Sequence, residues 1–187
     1  RSRLDQICLF TAENGIHEYD SPTYYAVDLD CLTLLHALVD DDVVREQAEA
    51  LLELFWTDIA ANWFVPSQRI AGARSRDYDY LRGHGYVEHH VWLAGWPVGA
   101  PRHGTGAVHL SLGRWLPDER IRGLTERFPR LVEQVWGTGR MQTRTHWVAP
   151  DVTLSMAGAN YGSMDLPFTV DLPGDEQALR CYMIPDE

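Results

Sequence analysis

Tyr24-Tyr25-Ala26-Val27-Asp28-Leu29-Asp30-Cys31-Leu32-Thr33-Leu34-Leu35-His36-Ala37-Leu38-Val39, closed by Asp40-Asp41-Asp42 and continued by Val43 to Phe64, is the stretch that decides the fold. Tyr25, Leu29, Leu32, Leu35 and Val39 recur at steps of four and three, which lines one face of a helix over 24–39. A second helix, about 42–64, repeats the spacing with Val44, Ala48, Leu51, Phe55, Ile59 and Trp63, while Arg45, Glu46, Glu49 and Glu53 point outward. The three aspartates end the first helix and supply an N-cap and first-turn carboxylates to the second, where negative charge meets the positive end of the dipole. Two long helices joined by so short a turn pack antiparallel.

Outward from this hairpin lie two polar, aromatic loops. Upstream runs Asn14-Gly15-Ile16-His17-Glu18-Tyr19-Asp20-Ser21-Pro22-Thr23, and downstream Gly72-Ala73-Arg74-Ser75-Arg76-Asp77-Tyr78-Asp79-Tyr80. Flanking one helical pair, they are expected to open on the same rim. Residues 65–106 are punctuated by Gly and Pro and read as long loops with a helix near 86–95. Pro117 and Asp118 suit the first turn of another helix, with Ile121, Leu124 and Phe128 spaced for burial; Pro129 interrupts it and Leu131, Val132 and Val135 continue it. After Gly137-Thr138-Gly139 the period becomes two. Thr143, Thr145 and Trp147 alternate with Arg144 and His146, and Val152 to Leu154, Phe168 to Leu172 and Leu179 to Met183 repeat the pattern between turn signals. The division is a helical-hairpin domain over 1–138 and an incomplete β-rich segment over 139–187.

The run Glu18-Tyr19-x-Ser21-Pro22-Thr23-Tyr24, the helix, the charged turn, the helix bearing Trp56 to Ala60 as W-x-D-I-A, and the loop with Gly72, Arg76 and Tyr78 together resemble one hairpin of an (α/α) toroid. Similar phrases occur in heparinase II/III-like and alginate-lyase-like carbohydrate-active proteins and their uncharacterised relatives, in which an antiparallel β-sandwich follows the toroid. The resemblance implies a chain made mainly of α-helical hairpins of a toroid, then the start of a β-sandwich. With two to five helices it is too short to close such a ring, so the reading is of a fragment.

Composition narrows the chemistry. The chain has 187 residues, 45% of them hydrophobic, enough for a sizeable core. Its net charge of −11 is concentrated at the front, where residues 1–60 hold thirteen Asp or Glu against three Arg. Such a half repels phosphate backbones, which argues against nucleic acid. All 16 basic residues are Arg. The absence of lysine removes internal Schiff bases, a lysine base and a Walker-type phosphate lysine. No stretch approaches a membrane span, and the start, Arg1-Ser2-Arg3-Leu4, shows neither Met nor a signal-type apolar run. The chain therefore reads as a piece of something longer, and no motif sets its compartment or oligomeric state. Cys8, Cys31 and Cys181 are too scattered for a framework and read as small buried hydrophobes.

A polysaccharide lyase needs a group that neutralises a uronate carboxylate, a base and an acid. Tyr24, Arg76, Tyr78 and His84 are the candidate catalytic residues, and Asn14, His17, Glu18, Trp92 and Trp96 the candidate substrate contacts. Tyr24 is preferred to Tyr25 because Tyr25 starts the apolar stripe, and the two project about 100° apart on a helix. The plainer reading of Arg76 is an ion pair with Glu18, Asp77 or Asp79. A hydrolase would need two facing carboxyl groups from Glu18, Asp20, Asp28, Asp77 or Asp79, and spacing selects no pair. Adjacent His89 and His90 cannot share one face, so no metal site and no cofactor are expected. The expected partner is a glycan or another small molecule. Two alternatives stand beside the enzyme: a non-catalytic helical module binding a glycan or a protein, and a toroid acting on a lipid or terpenoid through an apolar pocket of Trp92, Trp96 and Phe64.

Overall fold

The computed structural model describes residues 2–78, 85–101, 113, 115–158, 164–174 and 179–183. Helix α1 spans Arg3–Asn14 and is closed at its start by a capping box in which the Ser2 hydroxyl accepts from the Asp5 amide and Asp5 accepts from the Ser2 amide. Helix α2 spans Tyr24–Leu38 and α3 Asp42–Asn62, with Asp41 capping α3 by accepting from the amides of Val43 and Val44. These two pack against each other as the spacing of their apolar residues requires. Chain direction then changes at Trp63. Strand β1 (Trp63–Phe64) pairs antiparallel with β2 (Arg69–Ile70) across a 3-10 turn at Val65–Ser67, and the segment after β2 leads towards α4 (Val87–Leu93).

One helical turn at Glu119–Arg122 and a 3-10 turn at Gly123–Glu126 precede a five-stranded antiparallel sheet. Its strands, β3 (Arg130–Val135), β4 (Thr143–Val148), β5 (Thr153–Ala157), β6 (Phe168–Leu172) and β7 (Leu179–Met183), lie side by side in chain order. The expected continuation of a helix through Leu131, Val132 and Val135 is therefore wrong: these residues pair with Trp147, His146 and Thr143 in a ladder. The toroid is overturned as well. Among the described residues there are five α-helical segments and one substantial sheet, a small mixed α/β arrangement and not a ring of helical hairpins. No helix among them is long and apolar enough to cross a membrane. The thiols differ too, since Cys31 and Cys181 are exposed.

The apolar core belongs to the helices. Tyr25, Leu29, Leu52, Phe55, Trp56, Ile59, Trp63, Ile70, Val87, Val91 and Trp96 belong to one buried cluster to which, among the described side chains, none of the five-stranded sheet contributes. Trp56 and Trp63 both meet the Trp96 ring, the latter edge to face at 5.9 Å. The sheet joins through a smaller apolar patch of Phe64, Ala71 and Val148, and otherwise through buried polar side chains. Arg130 ties the two layers at the end of α3, its guanidinium donating to the carbonyls of Ala61 and Trp63. A cation at that point complements the negative end of the helix dipole.

Candidate functional site

Two polar assemblies meet around the loop at 18–25, one buried and one open. The buried one begins at the C-terminal end of α3. Tyr25 donates its hydroxyl proton to Asp58, and the same oxygen accepts from the Asp20 amide at 2.8 Å. Asn62 donates to the Asp58 carboxylate at 2.9 Å, while its own carbonyl oxygen accepts from Arg144 and, at 2.8 Å, from His146 Nδ1. Arg144 also stands 3.4 Å from Asp20 and lies over the Tyr19 ring, which stacks on Trp136 at 4.7 Å. The segment after β2 lies on the rest of the sheet face: Asp171 accepts from Arg69 at 3.1 Å, from Arg180 at 2.6 Å and from the Gly72 amide, and Arg180 reaches Asp77 at 3.3 Å. Arg74 and Leu166 exchange both backbone hydrogen bonds.

Arg69, Arg74, Arg144 and Arg180 are thus enclosed with Asp20, Asp58, Asp77, Asp165 and Asp171, Arg74 standing 3.6 Å from Asp77, the pairing that buried charges require. Burial pushes the Asp20 carboxyl up to about 7 against the pull of Arg144 and Arg74. Asp171 is desolvated equally, yet Arg180, Arg69 and Arg74 hold it at about 2. His146 is kept neutral by burial and by the neighbouring Arg144 cation. This layer is sealed from solvent and holds the loops in place. Ser75 donates its amide to Tyr19 O at 3.0 Å, Asp77 donates to Met164 O at 2.9 Å, and Val87 donates to Pro22 O at 2.9 Å. Gly85 lies so close to Pro22 that a Cβ there would sit 2.5 Å from the Pro22 Cβ.

The open assembly sits on top. The Ser21 hydroxyl accepts from the Tyr24 amide at the start of α2 and faces the Arg76 carbonyl at 3.4 Å. Across this junction the Tyr24 and Tyr78 hydroxyls are 3.2 Å apart, their rings tilted at 39° with centroids 6.3 Å apart. Glu18 pairs with Arg76 at 3.4 Å. Tyr78 is 49% exposed, and Tyr86 is exposed one residue from the amide bonded to Pro22. Asp20 and Arg76 both hold positive φ, at 55° and 51°, a conformation that costs a non-glycine residue roughly 1 kcal/mol. The mutual hydrogen bond and repulsion of the tyrosines, then partial burial and Glu18, raise the Tyr24 hydroxyl above its ordinary value. Asp28, one helical turn beyond Tyr24, is pushed by burial and by Glu18 up to about 6.

Of the residues expected to form the site, the structure brings Glu18, Tyr24, Arg76 and Tyr78 together. It sets the others elsewhere. Asn14 donates to Phe10 O within α1, and His17 donates to Trp136 O at 3.1 Å. Trp96 is in the helical core, while Trp92 is 41% exposed on α4 and stacks on His89. Phe64 lies in the separate patch with Val148, so Trp92, Trp96 and Phe64 line no common pocket. His84 and Asp79 lie outside the described residues. No group of metal-ligating side chains occurs among the described residues. Asp28 stands out in the sequence only as one of five carboxyl groups, although its place four residues after Tyr24 puts both on one helical face.

The lyase and hydrolase expectations find no support in this geometry. A tyrosine whose hydroxyl titrates above its ordinary value is a neutral phenol near pH 7 and a poor base. Arg76 meets Glu18 through Nε at 3.4 Å, so its charge is already offset and it is a poor counter-ion for a uronate, although its other N–H groups stay open among the described residues. Of the five carboxyl groups offered for a hydrolase, Asp20 and Asp77 are enclosed and paired with arginine, Asp79 lies outside the described residues, and Glu18 and Asp28 remain at the rim, Glu18 paired with Arg76. No curated protein and no solved structure matches the chain. Residues 4–99, a stretch holding the helical hairpin, both loops of the rim and α4, match the family model described as a domain of unknown function, DUF8769. Covering more than half of the 187 residues, that match makes the chain a member of the DUF8769 family.

Proposed function

We propose that the chain is a carbohydrate-binding module that holds a neutral glycan across Tyr24, Tyr78, Glu18 and Arg76. The observation carrying this reading is the pairing, on one exposed rim, of two tilted tyrosine rings with a carboxylate and a guanidinium. Ring faces stack on the apolar C–H side of a pyranose, and the phenols, Glu18 and Arg76 supply donors and acceptors for its hydroxyls. A neutral ligand is favoured because the cation is already paired and the net charge is −11. For the same reason nucleic acid is a poor partner. The two left-handed residues beside the rim support a ligand role, since strain of this kind gathers where side chains must be aimed. The buried layer beneath supplies rigidity, which lowers the entropy cost of binding.

The test is binding to immobilised maltohexaose, cellohexaose, xylohexaose and oligogalacturonate, repeated with Tyr78→Ala and Arg76→Ala. Retention of at least one neutral oligosaccharide, weakened about tenfold or more by either substitution, is the expected result. Retention of oligogalacturonate alone, or retention indifferent to both substitutions, overturns the proposal.

A further inference from the structure

The five-stranded sheet is inverted relative to the usual pattern of apolar side chains inward and polar side chains outward. Arg144, His146, Thr153, Ser155, Thr169 and Asp171 are buried beneath the helical layer, and the outward half of the strands is mainly apolar, with Glu133, Thr143 and Thr145 the polar exceptions. The register aligns that outer half into rows. Leu131, Trp147, Leu154, Val170 and Cys181 are cross-strand neighbours over all five strands, and Glu133, Thr145, Met156, Phe168 and Met183 form the next row. Seven large apolar side chains of this face, among them Leu131, Trp147, Leu154, Met156 and Met183, are between 40% and 59% exposed.

We infer that this face is the interface of a homodimer in which two copies pack sheet against sheet. The size fits. Five strands about 4.8 Å apart and about five residues long at ~3.4 Å each span about 400 Å² in plan, before side-chain relief is counted. That already equals the largest apolar patch of a typical monomer, roughly 300–600 Å². Two such faces amount to about 800 Å² in plan, and side-chain relief brings the buried area to the order of 1,000 Å², the area at which a specific association becomes sustainable. The charge pattern selects a second copy as the occupant. Among the described side chains of the face, Glu133 alone is charged, and it lies on the edge strand β3, so an anionic or cationic partner finds almost nothing to pair with. An apolar surface is complementary to itself, and two sheets of the same twist pack face to face at about −30° without special shape. The rim of Tyr24 and Tyr78 lies outside this face, so the dimer leaves it open; the inference does not rest on the glycan reading.

Sedimentation equilibrium of the 187-residue chain over a range of concentrations, with Leu154→Lys, Met156→Lys and the control Val43→Lys, tests it. The expected result is a species of twice the 21.3 kDa protomer mass, with a dissociation constant raised about a hundredfold by either sheet substitution and unchanged by Val43→Lys, which alters an exposed position at the start of α3. Maleimide labelling gives a readout that needs no variant: Cys31 reacts, whereas Cys181 in the apolar row reacts more slowly as concentration and dimer population rise. A monomer at every concentration, a dimer indifferent to both lysines, or a Cys181 rate independent of concentration overturns the inference.

Discussion

Replacing Asp20 by Asn changes the pH dependence of stability in a way the structure specifies. Asp20 is wholly buried, neither of its carboxylate oxygens accepts a hydrogen bond in the described structure, and Arg144 stands 3.4 Å away. Burial pushes its pKa up to about 7 from the ordinary 3.8. The folded state therefore holds this proton over a range in which the unfolded chain has released it. The resulting stability is complete below the unfolded pKa and is lost as pH rises through about 7. The full difference corresponds to about 4 kcal/mol at about 1.4 kcal/mol per unit. From about pH 5 to about pH 8, roughly two units of that window remain to be crossed, about 3 kcal/mol. Asn cannot ionise and accepts the left-handed backbone at φ 55° more readily than most residues, so it removes the dependence with little strain. Urea unfolding of wild type and Asp20→Asn at the two pH values supplies the double difference, which cancels the opposite contribution of His146. The wild type is expected to lose about 3 kcal/mol more than the variant on going from the lower to the higher pH. A double difference within about 0.5 kcal/mol of zero would refute the reasoning, because Asp20 would then be ionised throughout.

Asn62→Ala removes the acceptor shared by Arg144 and His146 and one donor to the Asp58 carboxylate, leaving Arg144 its ion pair with Asp20 alone, at a cost of about 3–5 kcal/mol. Calorimetry should register this as a melting temperature lower by roughly 10 °C, and a drop of a degree or two would mean that the layer is not sealed. Gly85→Ala forces a Cβ against Pro22 and its carbonyl, separating α4 from the loop that starts α2. Overpacking of this kind costs about 1–3 kcal/mol, and the variant should lose oligosaccharide binding by more than its stability alone explains. Unchanged affinity would show that the loop's seat does not matter to the rim.

The helical hairpin was legible because burial of one stripe writes itself into the sequence at steps of three and four, and because Asp41 can cap only a helix that starts immediately after it. The surface that hairpin packs against was not legible. The same stripe serves a ring of hairpins or a single pair lying on a sheet, and the choice is made by residues more than 70 positions away, such as Gln134 and Arg144 on Asp58 and Asn62. Leu131, Val132 and Val135 suit a helix or a strand equally in so short a run, and the ladder with β4 is what makes them β3. In β4 the alternation was visible but its sense was not: Trp147 faces out and Arg144 and His146 face in, since the Asp and Asn partners that make their burial tolerable come from the loop before α2 and from the end of α3. Part of the site could be read because both loops flank the hairpin. The ion pair expected for Arg76 is present, and the structure selects Glu18 from the three candidates; the raised Asp28 needed three dimensions, for it depends on which groups the fold brings near.

The most direct test of the glycan-binding rim is an amide NMR titration of the 187-residue chain with cellohexaose, maltohexaose and xylohexaose in turn. One of these neutral oligosaccharides is expected to shift resonances of Glu18 to Tyr25 and of Arg74 to Tyr78, with smaller changes at Tyr86 and Asp28. Shifts gathered instead at the groove of Trp63, Val65, Val98 and Arg122, or at no residue of the rim, would contradict it.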